Sequence, residues 1–283
     1  MDRLSGPGLD ERLRQFLSED VGSRDVTTET TVPPGTRARG ELSARSGCVV
    51  SGLPVARRVF ELLDPELAWR EEVPAGTSLP AGGRLAALEG SARPILTAER
   101  VALNLLQRMC GIATETRRFV DAVAGTPCKI LDTRKTAPGL RVFDRKAVRD
   151  GGGENHRYDL SRMVLIKDNH RTLAGGVSRA VAAARAAERG LPIEVEVESE
   201  EELREAIAAG ADRILIDNQS PETVSRWCSI AREAASPPFV EASGAVRLDN
   251  VRAYALAGAD AVSVGALTHS VRAADIALDL FSQ

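Results

Sequence analysis

Arg134 and Lys135 stand side by side just past the short apolar run Ile130-Leu131, with Asp132-Thr133 between. Two adjacent cations at a strand end are costly to desolvate unless an anion joins them. Arg offers a planar fork for a carboxylate or phosphate, and Lys a mobile point charge. The alternative is a solvent-facing loop. Gly151-Gly-Gly-Glu-Asn-His-Arg157 brings His156 and Arg157 through three glycines that let backbone approach a ligand closely; a flexible linker is the bland reading. Lys167 follows Met163-Val-Leu-Ile, a position for a Schiff-base nucleophile, an anion ligand or an ion-pair partner.

Carboxylates come next along the chain. In Ile193-Glu-Val-Glu-Val-Glu198, the glutamates share one face of a strand and the valines the other. Valines turned to covering helices leave Glu194, Glu196 and Glu198 facing inward, where they need Lys167, Lys135 or a metal held through substrate phosphates. An edge strand with a wet face is the alternative. Asp217 ends Ile214-Leu-Ile, either as a site carboxylate or as a cap for the next helix. Ser243-Gly244-Ala245 and Val264-Gly265-Ala266 close two further runs with small residues whose N–H groups suit a phosphate. Site cations, carboxylates and a phosphate nest, with no Ser or Cys nucleophile beside a His, point to anionic substrates and a positively charged transition state.

The elements that position these groups follow from pattern. Six apolar runs between Lys129 and Gly265 each end in a polar or small residue, and helices are expected near 171–189, 200–209, 221–235 and 247–257. Strands alternating with helices imply a parallel sheet. Closed into a barrel, such a sheet gathers all six endings on one face. Six strands in this length predict a reduced, open barrel, with a doubly wound sheet as the runner-up. Ahead of it, 9–18 and 55–63 read as helices, while 36–50 and 67–90 read as antiparallel strands. A long helix from Ala98 to Val123, broken near Gly111, joins the two regions.

Composition narrows the function classes. A net charge of −3 argues against a polyanion track, yet ten Lys/Arg against five Asp/Glu crowd between Arg134 and Arg171, which suits a small anion. Trp69 and Trp227 offer no base-stacking platform, so no nucleic acid is expected. The four cysteines form no Cys-x-x-Cys pair and read as buried thiols. No run is long enough to span a membrane, and Met1–Pro7 lacks a signal-peptide core, so a cytoplasmic protein is expected.

The chain resembles the quinolinate phosphoribosyltransferase family. The resemblance rests on Ala98-Glu-Arg-Val-Ala-Leu-Asn-Leu-Leu-Gln, Leu131-Asp-Thr-Arg-Lys-Thr-Ala-Pro-Gly-Leu-Arg, Gly151-Gly-Gly-Glu-Asn-His-Arg and Leu165-Ile-Lys-Asp-Asn-His. Glu194-Val-Glu-Val-Glu, Ile216-Asp-Asn, Glu241-Ala-Ser-Gly and Val264-Gly-Ala-Leu-Thr-His-Ser continue it in order. It implies an N-terminal α/β sandwich (1–113), an open α/β barrel of the type II phosphoribosyltransferase kind (114–270) and a C-terminal helix (271–283) returning to the N-terminal domain. It implies condensation of quinolinate with phosphoribosyl pyrophosphate, giving nicotinate mononucleotide, pyrophosphate and carbon dioxide, with Mg2+, in a homodimer with shared sites. By the same resemblance Thr133, Arg134, Lys135, His156, Arg157 and Lys167 bind quinolinate carboxylates and neighbouring phosphates. Arg100 reaches the partner's site. Glu196 and Asp217 lie by the ribose and the Mg2+–pyrophosphate, which itself holds most of the metal, and Ser243–Ala245 with Val264–Ala266 cradle the 5′-phosphate. Lys135, Lys167, Glu196 and Asp217 are the expected catalytic set. A related transferase with another heterocyclic acid, a Schiff-base aldolase on Lys167, and a phosphate-metabolite sensor on an inactive barrel are the competing readings.

Overall fold

The computed structural model describes residues 7–188 and 190–282. The reading of Met1–Pro7 as no signal peptide, and the end of the expected helix at Arg189, fall outside them apart from the helical backbone of Pro7. The chain divides into two compact units. The first gathers the chain through Arg117, then Thr136–Gly152 and the stretch from Thr268 onward; the second comprises Arg118–Lys135 and Gly153–Leu267.

In the first unit, α1 (Pro7–Val21) and α2 (Val26–Thr31) precede β1 (Arg37–Ala44) and β2 (Cys48–Val49). Then come α3 (Leu53–Glu61), β3 (Ala68–Glu71), β4 (Ser78–Leu79), β5 (Arg84–Ser91) and the long α4 (Ala92–Ala122). Asp25 caps α2 by accepting from Thr28 N. The α4 helix runs on into the second unit without the expected break at Gly111. Gly111 is there for space: a Cβ would lie 2.2 Å from the carbonyl oxygen of Arg272.

The chain's end corrects another expectation. Residues 271–283 were expected to be helical, but Ile276–Ser282 is a strand that pairs antiparallel with β1, Leu278 opposite Leu42. Its residues alternate with period two, and Leu278 and Leu280 pack over Gly40, where a Cβ would meet them at 2.9 and 3.0 Å. That strand completes a sheet in which β1 lies between it and β5, with β3 outside β5.

The second unit holds β6 (Lys129–Leu131). After it the chain visits the first unit as α5 (Arg141–Asp150) and returns as β7 (Val164–Ile166). In alternation follow α6 (Asp168–Ala174), α7 (Val177–Ala187), β8 (Ile193–Val197), α8 (Glu200–Ala208), β9 (Arg213–Asp217), α9 (Pro221–Arg232), β10 (Phe239–Ser243), α10 (Val251–Leu256) and β11 (Ala261–Ser263). The segment expected as one helix from 171 is two, α6 and α7, because Gly175 and Gly176 both take positive φ between them. A four-residue helix α11 (Ala266–His269) and the terminal strand, β12, end the chain. Caps fix the starts: Ser199 accepts from Glu202 N at α8, where three glutamates fill the first turn, and Ser220 with Pro221 starts α9.

All pairings in this six-stranded sheet are parallel, in the order β6-β11-β10-β9-β8-β7. The first strand joins the last, as in a barrel and not in a doubly wound sheet. No ladder joins β6 to β7, where the connection leaves for the first unit instead of packing a crossover helix on the sheet. An isolated parallel bridge from Leu131 to Glu154 adds to the β6 edge. Every residue of β8 is buried, which rules out an edge strand with a wet face. Val195 and Val197 on one side and Glu194 and Glu196 on the other are all removed from water.

Candidate active site

Strand ends bring four of the expected residues together at the C-terminal mouth of the open barrel. Lys167, the residue after β7 and N-cap position of α6, pairs through Nζ with Glu196 Oε2 on β8. Glu196 is buried and its partner half-exposed, so the pair has a dry and a wet end. Arg171 fixes the same strand from below, donating through Nη1 to the Glu196 carbonyl at 2.8 Å and pairing with Glu202. Asp217, at the end of β9, is not a cap: Ser220 takes that role. Burial and the charge of Glu196 raise the Asp217 pKa above the usual carboxylate range, while Lys167 and Lys135 pull it down. All four groups therefore feel one another.

A backbone cradle adjoins them. Asn218 donates N–H to the Ser243 carbonyl at 2.9 Å, and its side chain donates to Asp217 Oδ2 at 2.8 Å. Gly244, at φ +87°, lies so close to Asn218 that a Cβ would sit 2.0 Å from Asn218 Oδ1. Ala245 also takes positive φ. Among the described residues no acceptor engages the N–H of Gly244 or Ala245. Val264 donates to the Leu131 carbonyl at 3.0 Å and leads through Gly265 into Ala266, the first residue of α11. Thr133 receives the Lys135 N–H on its hydroxyl at 3.1 Å, which turns the chain after β6.

His156 and Arg157 occupy a different level. Buried Asp132 accepts from Asn155 Nδ2 (2.6 Å) and His156 N (2.8 Å), folding the glycine-rich loop onto the barrel. His156 Nε2 then lies 3.0 Å from Glu194 and 3.4 Å from Glu241. Arg213 completes the cluster at 3.1 Å from Glu194 and 2.9 Å from Glu241. Burial and the Arg157 N–H, 2.7 Å from Nδ1, favour a neutral ring. The two carboxylates favour the imidazolium and prevail, raising the pKa to about 9, because the four charges then sum to zero. The Arg157 guanidinium donates to the Met163 carbonyl at 3.0 Å; burial and nearby Arg134 lower its pKa.

Three expectations change. Glu194 is neutralised by Arg213 and His156, not by a lysine. Glu198, beyond the end of β8, has a 55% exposed side chain and leaves the shared inward face. The basic stretch 134–171 is not one patch: α5 belongs to the first unit, Lys146 pairs with Asp150 and Arg171 with Glu202. Asp132, Arg213, Glu241 and Arg171 were not singled out from sequence. Inward parity with Glu194 and Glu196 was the available signal for Arg213 and Glu241; nothing marked Asp132 or Arg171. Arg100 is exposed on α4 in the first unit. The four cysteines are buried thiols, as expected. No helix among the described residues is long and apolar enough to cross a membrane.

Comparisons with known proteins agree over nearly the whole chain. Residues 25–110 match the family described as quinolinate phosphoribosyl transferase, N-terminal domain, and residues 112–279 match its C-terminal domain. A nicotinate-nucleotide pyrophosphorylase [carboxylating] from Mycobacterium leprae is 44% identical, covering 95% of this chain and 96% of that one. A probable nicotinate-nucleotide pyrophosphorylase [carboxylating] from Bacillus subtilis is 41% identical, covering 96% and 93%. The crystal structure of NadC from Streptococcus pyogenes is similar with a TM-score of 0.92 at 39% identity, covering 97% of each chain.

Proposed function

Because the chain belongs to the quinolinate phosphoribosyltransferase family, we propose a division of labour among its own residues for that family's reaction. The enzyme is a decarboxylating phosphoribosyltransferase of de novo NAD synthesis. It joins quinolinate to phosphoribosyl pyrophosphate and yields nicotinate mononucleotide, pyrophosphate and carbon dioxide. The observation that carries the assignment of roles is the meeting of Lys135, Lys167, Glu196 and Asp217 at one barrel mouth.

As the C1′–O bond to pyrophosphate breaks, positive charge grows on the ribose. Glu196 and Asp217 face that charge, where fixed dipoles and ions act most strongly. The pyridine nitrogen attacks C1′ and becomes cationic. The bond to the carboxylate beside the nitrogen then breaks, its electron pair passes to the ring carbon as carbon dioxide leaves, and that carbon takes a proton. Lys135, Lys167, Arg134, Arg157 and His156 gather the quinolinate carboxylates and neighbouring phosphates, with Thr133 shaping the turn. Lys167 exchanges its bond with Glu196 for one with substrate. Gly244 and Ala245 hold the 5′-phosphate through N–H groups that no described residue engages, with Ser243, Val264, Gly265 and Ala266 shaping the cradle.

Glu196 and Asp217 also fit Mg2+. They offer hard oxygens, and the raised pKa of Asp217 marks a place where a dication relieves carboxylate repulsion. Held beside Glu196 and Asp217, Mg2+ would neutralise the charge of the leaving pyrophosphate. Exposed Arg100 suits a homodimer in which each first unit serves the partner's site. No turnover of quinolinate, phosphoribosyl pyrophosphate and Mg2+ by purified protein would sink this reading. Borohydride trapping of a substrate on Lys167 would favour an aldolase, which leaves Arg134, Lys135 and Arg157 without a role.

A further inference from the structure

Asn218 stands between Asp217 and the Ser243–Ala245 turn, yet it takes no part in the steps of the reaction. Its backbone is unusual. Asn218, at φ +51°, and Ala245 are the two non-glycine residues with positive φ among those described. Asparagine tolerates that region better than most residues. Several bonds hold it there. Its N–H donates to the Ser243 carbonyl at 2.9 Å. The next residue, Gln219, donates through Nε2 to the Asp217 and Glu198 carbonyls, both at 3.2 Å. Buried Tyr254, on α10, donates through Oη to the Gln219 carbonyl at 3.0 Å. An uncommon backbone conformation fixed from so many sides is more often found at a functional site than in an idle turn.

The side chain works in two directions. Nδ2 donates to Asp217 Oδ2 at 2.8 Å, which fixes the rotation of that carboxylate. Oδ1 fills the space that a Cβ on Gly244 would need, 2.0 Å from it. The nitrogen of one planar amide thus orients Asp217, and its oxygen bounds the glycine whose N–H is offered to a phosphate. Asp217 serves the ribose end of the phosphoribosyl donor and Gly244 the 5′-phosphate end, so a single rigid group spans the two. Asn218 is exposed, so its side chain supports no core.

We propose that Asn218 is a positioning residue for the phosphoribosyl donor, its amide setting the spacing between Asp217 and the Gly244 cradle. The proposal rests on the roles given to Asp217 and Gly244 under the family's reaction. Asn218→Gly in the full-length protein is the test, because glycine keeps the positive φ and removes only the amide. A residue needed for the turn alone loses nothing by that change. Calorimetric titration of phosphoribosyl pyrophosphate with Mg2+ should show affinity weakened by about tenfold or more, as expected for a lost hydrogen bond to a charged group. Quinolinate, titrated separately, should bind as before, and the urea midpoint should not move. In turnover the KM for phosphoribosyl pyrophosphate should rise by the same factor and that for quinolinate stay constant. Asn218→Asp, which keeps the size but sets a second carboxylate against Asp217, should lose at least as much. Unchanged donor affinity in Asn218→Gly, or an equal loss for both substrates, overturns the proposal. The titrations need no turnover. Wild type that binds the donor without converting quinolinate would sink the reaction, and the Asn218→Gly comparison would still decide the role of Asn218; wild type that binds no donor overturns both.

Discussion

Raising the pH should weaken the fold through His156. Its ring is buried, yet Glu194 and Glu241 raise its pKa to about 9. In the unfolded chain the ring returns to about 6.5. The folded pKa lies above the unfolded one, so the added stability is complete below about pH 6.5 and lost as pH rises through about 9. That separation corresponds to ~3 kcal/mol. The lowered pKa of Glu241 is the other side of the same interaction and is not added. The comparator is His156→Gln/Glu241→Gln, which keeps Glu194 opposite Arg213 and the local charge sum at zero. Cys128 and Cys228, pushed by burial to about 12 and about 11, contribute equally to both proteins and cancel. Urea unfolding across this pH window should show wild type losing ~3 kcal/mol more than the double variant. Equal slopes would refute the assignment of a buried imidazolium.

Lys135→Ala should lower kcat/KM by about 100-fold or more while leaving the unfolding midpoint unchanged, because its exposed side chain serves the site and not the core. Mixing inactive Arg100→Ala and Lys135→Ala proteins, with subunit exchange, should restore about a quarter of wild-type turnover, since half the dimers are hybrids with one intact site; no recovery would remove Arg100 from the partner's site. Chelation should abolish turnover and added Mg2+ restore it, with Asp217→Asn needing more metal to reach half-maximal rate. Gly111→Ala should destabilise the first unit by ~2–3 kcal/mol, read as a lower urea midpoint, because its Cβ would collide with the Arg272 carbonyl.

Local pattern carried much of the fold. Ile193–Val197 and Arg213–Asp217 were legible as strands because alternation and apolar runs write themselves into consecutive residues. The strand-end residues Lys167, Glu196 and Asp217 were legible for the same reason. Less visible was anything decided by distant chain. The terminal strand is specified by β1, more than two hundred residues earlier, and its Asp and Ala positions lent it a helical look. Gly111 reads as a helix breaker until Arg272 is seen against it. The excursion of α5 into the first unit has no local signature, so the basic stretch looked continuous. Resemblance to a family supplied roles; the partners of His156 required the folded interior.

The first unit is assembled from three separated stretches, the last of which contains β12, the outer neighbour of β1. On a ribosome, domains ordinarily fold in the order in which they emerge. Here β1 emerges early and waits with one edge uncovered until Ile276–Ser282 leave the exit tunnel. The barrel strands, all contained between Lys129 and Ser263, can pair before that. Translation thus completes the second unit ahead of the first, and the nascent chain carries an exposed β1 edge through most of its synthesis. Such an edge is a template for pairing with another chain. Loss of Ile276–Ser282 would leave that edge open, converting the removal of one short strand into an aggregation hazard.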